Sequence, residues 1–300
     1  MAQNRCRNLI EAVKQGDVTC VIRLLGEGKD PNVRDESGRT PLHYAVLNGP
    51  IMVETLLKHG ADPDVADDRG VTPLHIASMF GLYDVVKLLL NYSKRRPNVN
   101  VQDEGGRTPL HEAAKRCNAN VVWLLLMNGA KPDIRDNSGH TPLHSALLLE
   151  PCIDAAKILL EAGADPNARD GNNRTPLHWA AMHGNSKLVS LLLKHGADPN
   201  VQDYKGYTPL HYAVMRKRAD AAKVLLQHGA NPTIPDNEGK TPIDYARETG
   251  LVDVVAQNLT GTPIGYTREA SLLNVVQPLT VEMTVSKTPT RRKGRKAISV

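Results

Sequence analysis

Eleven histidines and four cysteines are the side chains in this chain that could move a proton, hold a metal or act as nucleophiles. Six of the histidines, His43, His75, His111, His144, His178 and His211, each end the word Thr-Pro-Leu-His, which begins at Thr40, Thr72, Thr108, Thr141, Thr175 and Thr208. A seventh copy reads Thr241-Pro242-Ile243-Asp244. Zinc needs its ligand nitrogens ~2 Å away, and packed helices stand ~8–10 Å apart, so one histidine per stacked unit cannot share an ion. His59, His195 and His228 precede a glycine that closes an apolar run, where a cation suits a helix end. His140 and His183 have no partner at ligand spacing. Cys6, Cys20, Cys117 and Cys152 show no metal spacing either and are expected to stay reduced in a cytosol-like compartment. The recurrent Asp35, Asp67, Asp103, Asp136, Asp170, Asp203 and Asp236 are expected to stabilise turns, because a short carboxylate bonds its own backbone two residues on. There is no phosphate-binding glycine loop and no nucleophile elbow. The chain is therefore read as a non-enzyme with no catalytic residue, no metal and no cofactor.

The elements behind these residues follow from the period. The seven copies start 32, 36, 33, 34, 33 and 33 residues apart, and such self-similarity marks a solenoid of units that bury their apolar faces on one another. Each threonine is a helix N-cap and each following proline a favourable first helical residue. The motif histidine falls where its ring can reach back to the threonine hydroxyl or across to the neighbouring turn. Small residues such as Ala180 and Ala181 let helices approach closely, and Gly49, Gly81, Gly184 and Gly250 end the first helix. A second apolar helix follows, as in residues 188–193, closed by Gly196-Ala197-Asp198-Pro199-Asn200. A turn then leads to the next threonine, with glycine at a positive-φ position that Asn173 fills once.

The unit D-x-x-G-x-T-P-L-H-x-A, with its inter-helix glycine and its G-A-D-P-N close, resembles the ankyrin repeat over roughly residues 5 to 261. The resemblance implies a mainly α repeat solenoid of stacked antiparallel helix pairs with β-hairpin or turn tips. Residues 1–30 are expected to hold an amino-terminal capping pair and residues 31–261 seven repeats, the last a cap with Ala256, Gln257 and Asn258 in place of leucines. Residues 262–300 are expected to form a basic, flexible tail.

Charge divides along the chain. Of 37 basic and 32 acidic residues, seven and two lie beyond residue 261, so the repeat array is neutral and the whole excess sits in the tail. A neutral array argues against nucleic-acid binding along its length. The run Arg291-Arg292-Lys293-Gly294-Arg295-Lys296 fits a nuclear-localisation signal, a contact with nucleic acid or an anionic surface, or a solubilising end. No amino-terminal run resembles a signal peptide and no stretch approaches ~18 apolar residues, which predicts a soluble, cytoplasmic monomer without a membrane span.

The resemblance further implies that partners touch the tips and the exposed face of the first helices, which line a concave groove. Placed residue by residue, that surface holds Arg39, Arg107, His140, Arg174, Tyr204 and Tyr207 at the tips, and Phe80, Arg116, Met182, His183, Met215 and Arg216 on the helices. Aromatic, Met and Arg side chains carry interface energy, and Tyr204, Tyr207, Met215 and Arg216 direct attention to the carboxy-terminal half. Two irregularities stand apart. The longest spacing leaves extra residues near Asn91-Tyr92-Ser93-Lys94-Arg95-Arg96, a basic loop. On the second helices, Trp123 and Met127 occupy a solvent-facing column that holds Lys87, Lys157, Glu161 and Lys194 elsewhere. That pair is a second candidate contact site, unless the tail or the inserted loop covers it. The chain thus reads as a scaffold that recognises protein partners. The alternatives are a nuclear or nucleic-acid-associated regulator working through its tail, and a host-directed effector.

Overall fold

The computed structural model describes residues 6, 8–92, 97–149 and 151–259. The tail beyond residue 262 and residues 93–96 of the inserted segment lie outside them. Sixteen helices among the described residues run in pairs: α1 (Leu9–Lys14) with α2 (Val18–Gly26), α3 (Pro41–Asn48) with α4 (Pro50–Lys58), α5 (Pro73–Met79) with α6 (Tyr83–Tyr92), α7 (Pro109–Lys115) with α8 (Ala119–Met127), α9 (Pro142–Ser145) with α10 (Ile153–Glu161), α11 (Pro176–His183) with α12 (Ser186–Lys194), α13 (Pro209–Met215) with α14 (Ala219–Gln227), and α15 (Pro242–Thr249) with α16 (Val252–Leu259). First helices stack on first helices from α1 to α15, and second helices on second helices from α2 to α16. None of them is long and apolar enough to cross a membrane.

The core is two ladders of like residues. The motif leucines Leu42, Leu74, Leu110, Leu143, Leu177 and Leu210 are buried in the first layer, and Leu56, Leu89, Leu125, Leu159, Leu192 and Leu225 in the second. Between them runs a column of buried alanines, Ala45, Ala77, Ala113, Ala146, Ala180, Ala213 and Ala246, whose small volume lets the layers close up. Each leucine contributes roughly 2 to 3 kcal/mol through burial, but only with its neighbours in place.

The tips are turns, and no described residue lies in a strand. Of the two tip forms expected, the turn is the one present, for a specific reason. Each tip closes with two main-chain bonds, such as Asp35 N to Arg39 O at 3.0 Å and Gly38 N to Asp35 O at 2.9 Å. The amides two and four residues further on then point to the aspartate side chain instead of a facing strand. Tips are also tied to one another, Asp68 N to Ser37 O (3.1 Å) and Glu104 N to Arg69 O (2.8 Å) being the first two links of a chain that ends at Asn237 N to Lys205 O (3.1 Å).

Two departures concern the middle of the array. Helix α9 has four residues where its counterparts have six to eight, because the chain after Ser145 turns irregularly before Cys152 caps α10. The cysteines expected to stay reduced are instead paired, Cys6 with Cys20 and Cys117 with Cys152. Sequence separations of 14 and 35 concealed both pairs; stacking brings their Cα atoms to 5.8 and 5.0 Å, within normal disulfide range. The reduced-thiol argument for a cytosol-like compartment falls with this observation.

Candidate functional site

The first helices and their tips are positioned by the motif histidine. In all six Thr-Pro-Leu-His copies the threonine amide donates to the histidine Nδ1 at 3.0–3.2 Å. An amide can only donate, so Nδ1 is unprotonated and Nε2 carries the hydrogen. Nε2 then donates to the carbonyl just before the next unit's threonine: His43 to Val71, His75 to Arg107, His111 to His140, His144 to Arg174, His178 to Tyr207 and His211 to Lys240, all at 3.0–3.2 Å. Both routes open to the ring in the sequence are used at once. The threonine hydroxyl sits 2.9–3.0 Å from the same Nδ1, and it faces the histidine's own amide in return, at 3.4–3.5 Å in Thr72, Thr141 and Thr208, so the pair forms a capping box with threonine as the expected cap. Burial lowers the pKa of all six rings against the partial support of the carbonyl bond, and carries His144 and His178 down to about 4. In the last unit Asp244 replaces histidine, its Oδ2 accepting from Thr241 N (3.0 Å) and Thr241 Oγ1 (2.6 Å).

The tip aspartates do more than hold their own turns. One carboxylate oxygen takes the two local amides in every tip, as in Asp203 with Lys205 N (2.8 Å) and Tyr207 N (2.9 Å). The other oxygen is answered in two ways. Where the residue after the motif histidine is Tyr44, Trp179, Tyr212 or Tyr245, its ring donates to the aspartate of its own unit. Where that residue is Ile76, Glu112 or Ser145, another side chain takes over: Arg39 on Asp67 (3.1 Å), Arg107 on Asp103 (2.8 Å) and His140 beside Asp136 (3.5 Å). Asp170 receives Trp179, Arg174 (3.0 Å) and, from the preceding unit, His140 (3.6 Å). Burial raises the Asp170 carboxyl, but these donors and the local amides outweigh it and hold it well below the usual carboxylate range.

These bonds decide which expected contact residues are free. Arg39, Arg107 and Arg174 are engaged by tip aspartates. Arg107 also lies 3.0 Å from the buried Glu112, an ion pair off hydrogen-bond alignment, and Arg174 stacks 4.1 Å from the Trp179 ring. His140 bridges two units, and Tyr207 packs edge-on against Tyr212 (5.7 Å) and Tyr245 (6.2 Å). Phe80, Arg116, Tyr204 and Arg216 are exposed, Tyr204 most of all at 76%. Met182, His183 and Met215 are half-buried, and His183 Nε2 has no hydrogen-bond partner among the described residues.

The geometry puts the open groove in the amino-terminal half. A cavity of about 770 Å³ lies between the tips of the Thr40, Thr72 and Thr108 units and helices α3 and α5, lined by Tyr44, Leu47, Ile76, Met79 and Phe80 with Arg39, Arg69 and Glu104 at its polar edge. Leu47 and Phe80 are 58% and 57% exposed, two large apolar side chains that share this cavity. On the second helices, Trp123 (48%) and Met127 (67%) are exposed as their column predicts. The same two positions hold the ion pairs Glu54–Lys58 and Lys157–Glu161 in other units. Tyr83, Asn120 and Ile158 join Trp123 around a second groove of about 420 Å³.

Sequence reasoning missed a column of unit-to-unit ties at the G-A-D-P-N close. Asn32, Asn100, Asn167 and Asn200 each give Nδ2 to a glycine carbonyl in the next unit and accept an amide there, as in Asn167 with Gly196 O (2.9 Å) and Asp198 N (2.8 Å). Asp64 and Asp133 stand in two units and only accept. The recurrence of Asn against Asp at this position was the available signal. Among the described residues no group of three or more His, Cys, Asp or Glu could hold a metal ion.

The family model for ankyrin repeats matches residues 9–103, 93–170, 154–236 and 205–257. An ankyrin repeat protein of Pyrobaculum aerophilum is 49% identical over 39 residues, a stretch covering 13% of this chain and 15% of that protein. The matches span nearly all the stacked helices, and the histidine staples, tip aspartates and turns recur with the same register: the chain belongs to the ankyrin repeat family.

Proposed function

We propose that this array is a non-enzymatic scaffold that recognises a protein partner through the groove between the tips and first helices of its amino-terminal units. Ankyrin repeats are protein-interaction modules as a class, and the reading rests on one observation above others: Leu47 and Phe80 are held exposed over the cavity of about 770 Å³. Interface energy concentrates in apolar and aromatic anchors that leave water on binding. The motif histidines, which in another setting would suggest proton transfer, spend both nitrogens on internal bonds. The expected contact set shifts accordingly, towards Phe80, Leu47 and Met79 and away from Arg39, Arg107 and Arg174, whose charges are already matched.

The test is to cross-link partners to the full chain in extracts of its source and compare wild type with Phe80→Glu and Tyr204→Ala. Loss of the partner with Phe80→Glu at unchanged melting temperature supports the groove. Partners retained by Phe80→Glu would place recognition elsewhere and overturn the reading.

A further inference from the structure

Six first helices end in the same left-handed turn. Four of these use glycine, Gly16, Gly81, Gly184 and Gly250, at φ 67–79°. The other two use Cys117 (φ 59°) and Lys217 (φ 56°), side chains that this backbone region disfavours. Cys117 has a visible reason, its bond to Cys152 in the next unit. Lys217 has none inside the molecule: it is exposed and no ion pair or hydrogen bond engages its side chain among the described residues. A strained residue without an internal purpose points outward.

Its neighbours give the direction. Arg216 beside it is exposed and unpaired, and so is Arg116 in the Thr108 unit, with Lys115 half-buried and equally unpaired among the described residues. The two cation pairs stand three units apart, ~30 Å at the usual helix spacing. In the two units between them the equivalent surface is mostly apolar, with Leu149 exposed and Met182 half-buried beside His183. A peptide chain extending ~3.3 Å per residue crosses that gap in about nine residues.

We infer that Lys115, Arg116, Arg216 and Lys217 form a two-ended cation ridge that binds an extended acidic segment of the partner protein, carboxylates at both ends and apolar side chains between. This deepens the recognition reading above and rests on it. A nucleic acid fits less well, because its phosphates recur at every nucleotide and call for an unbroken basic track, whereas here the track is interrupted by apolar side chains across two units.

The experiment uses the full chain and a fluorescent peptide with glutamate clusters flanking a leucine-valine centre, with a single-stranded oligonucleotide and inorganic polyphosphate as competitors. The peptide should bind with an affinity that falls as salt rises, and Lys115→Glu with Arg216→Glu should weaken it about tenfold or more. Lys217→Gly is the sharper variant: it relieves the turn, so the melting temperature should rise while peptide affinity falls. Absence of peptide binding, unchanged affinity in Lys217→Gly, or tighter binding of the oligonucleotide or polyphosphate than of the peptide overturns the inference. A cross-linked partner lost by Phe80→Glu but kept by the charge reversals leaves the groove reading standing and removes the acidic segment alone. A partner insensitive to Phe80→Glu removes the groove reading itself.

Discussion

The two halves of the proposed recognition face are built from the same repeat and end up with different surfaces. In the Thr40 and Thr72 units Leu47 and Phe80 are more than half exposed over a cavity. In the Thr208 and Thr241 units Tyr207 meets Tyr212 and Tyr245 edge-on, with His211 5.6 Å from it, so these rings are spent on one another. An aromatic side chain on a repeat is therefore less available for binding where neighbouring rings pack on it, as at Tyr207, than where it stands exposed, as at Phe80 and Tyr204. Residue type alone favoured the carboxy-terminal half; packing favours the other.

Acid gives the largest expected effect and strikes the seam between the halves. The six motif rings are neutral in the fold and their pKa values lie below 6.5, so their stabilisation is complete above pH 6.5 and is lost as pH falls towards about 4. His144 and His178 each stand to lose on the order of 3 kcal/mol across that window. Urea unfolding at pH 7 and pH 4.5, with hydrogen exchange mapping the first amides to open, should place early opening around α9. Uniform loss along the array would show that the short helix is no weaker than the rest.

Tyr207→Ala should destabilise the carboxy-terminal half by about 1–3 kcal/mol through lost ring contacts and a cavity, without altering partner capture. Phe80→Ala should do the reverse, staying within about 0.5 kcal/mol of wild type while weakening capture. Equal stability losses in the two variants, measured by chemical denaturation, would erase the contrast between the halves. The smallest effect belongs to the second-helix patch. Trp123→Lys with Met127→Lys restores the charged character of that column and should shift stability by no more than about 0.5 kcal/mol. A loss of several kcal/mol would mean that another part of the chain covers these residues.

The sequence announced nearly everything that repeats. Thr-Pro starts, the small column and the left-handed Asn173 and Cys117 could be read directly, because each is dictated by the local backbone. What it hid is whatever depends on the next unit. Arg39 looked free because its partner Asp67 lies 28 residues on, and Cys117 looked like a reduced thiol because Cys152 stands in a different helix pair. Period and composition specify columns, whereas availability for binding is a property of pairs of columns.

The substitution of Asp244 for histidine has an evolutionary consequence. Every histidine gives a hydrogen to the unit that follows it, and Asp244, a carboxylate with nothing to give, closes the series. Duplication of any cassette ahead of Thr241 would hand each new histidine a carbonyl to hold, so the array can lengthen from within by whole repeats. Copying the final cassette would set a carboxylate opposite a carbonyl at the new junction and cost it a hydrogen bond, so lengthening by insertion is favoured over lengthening at the end.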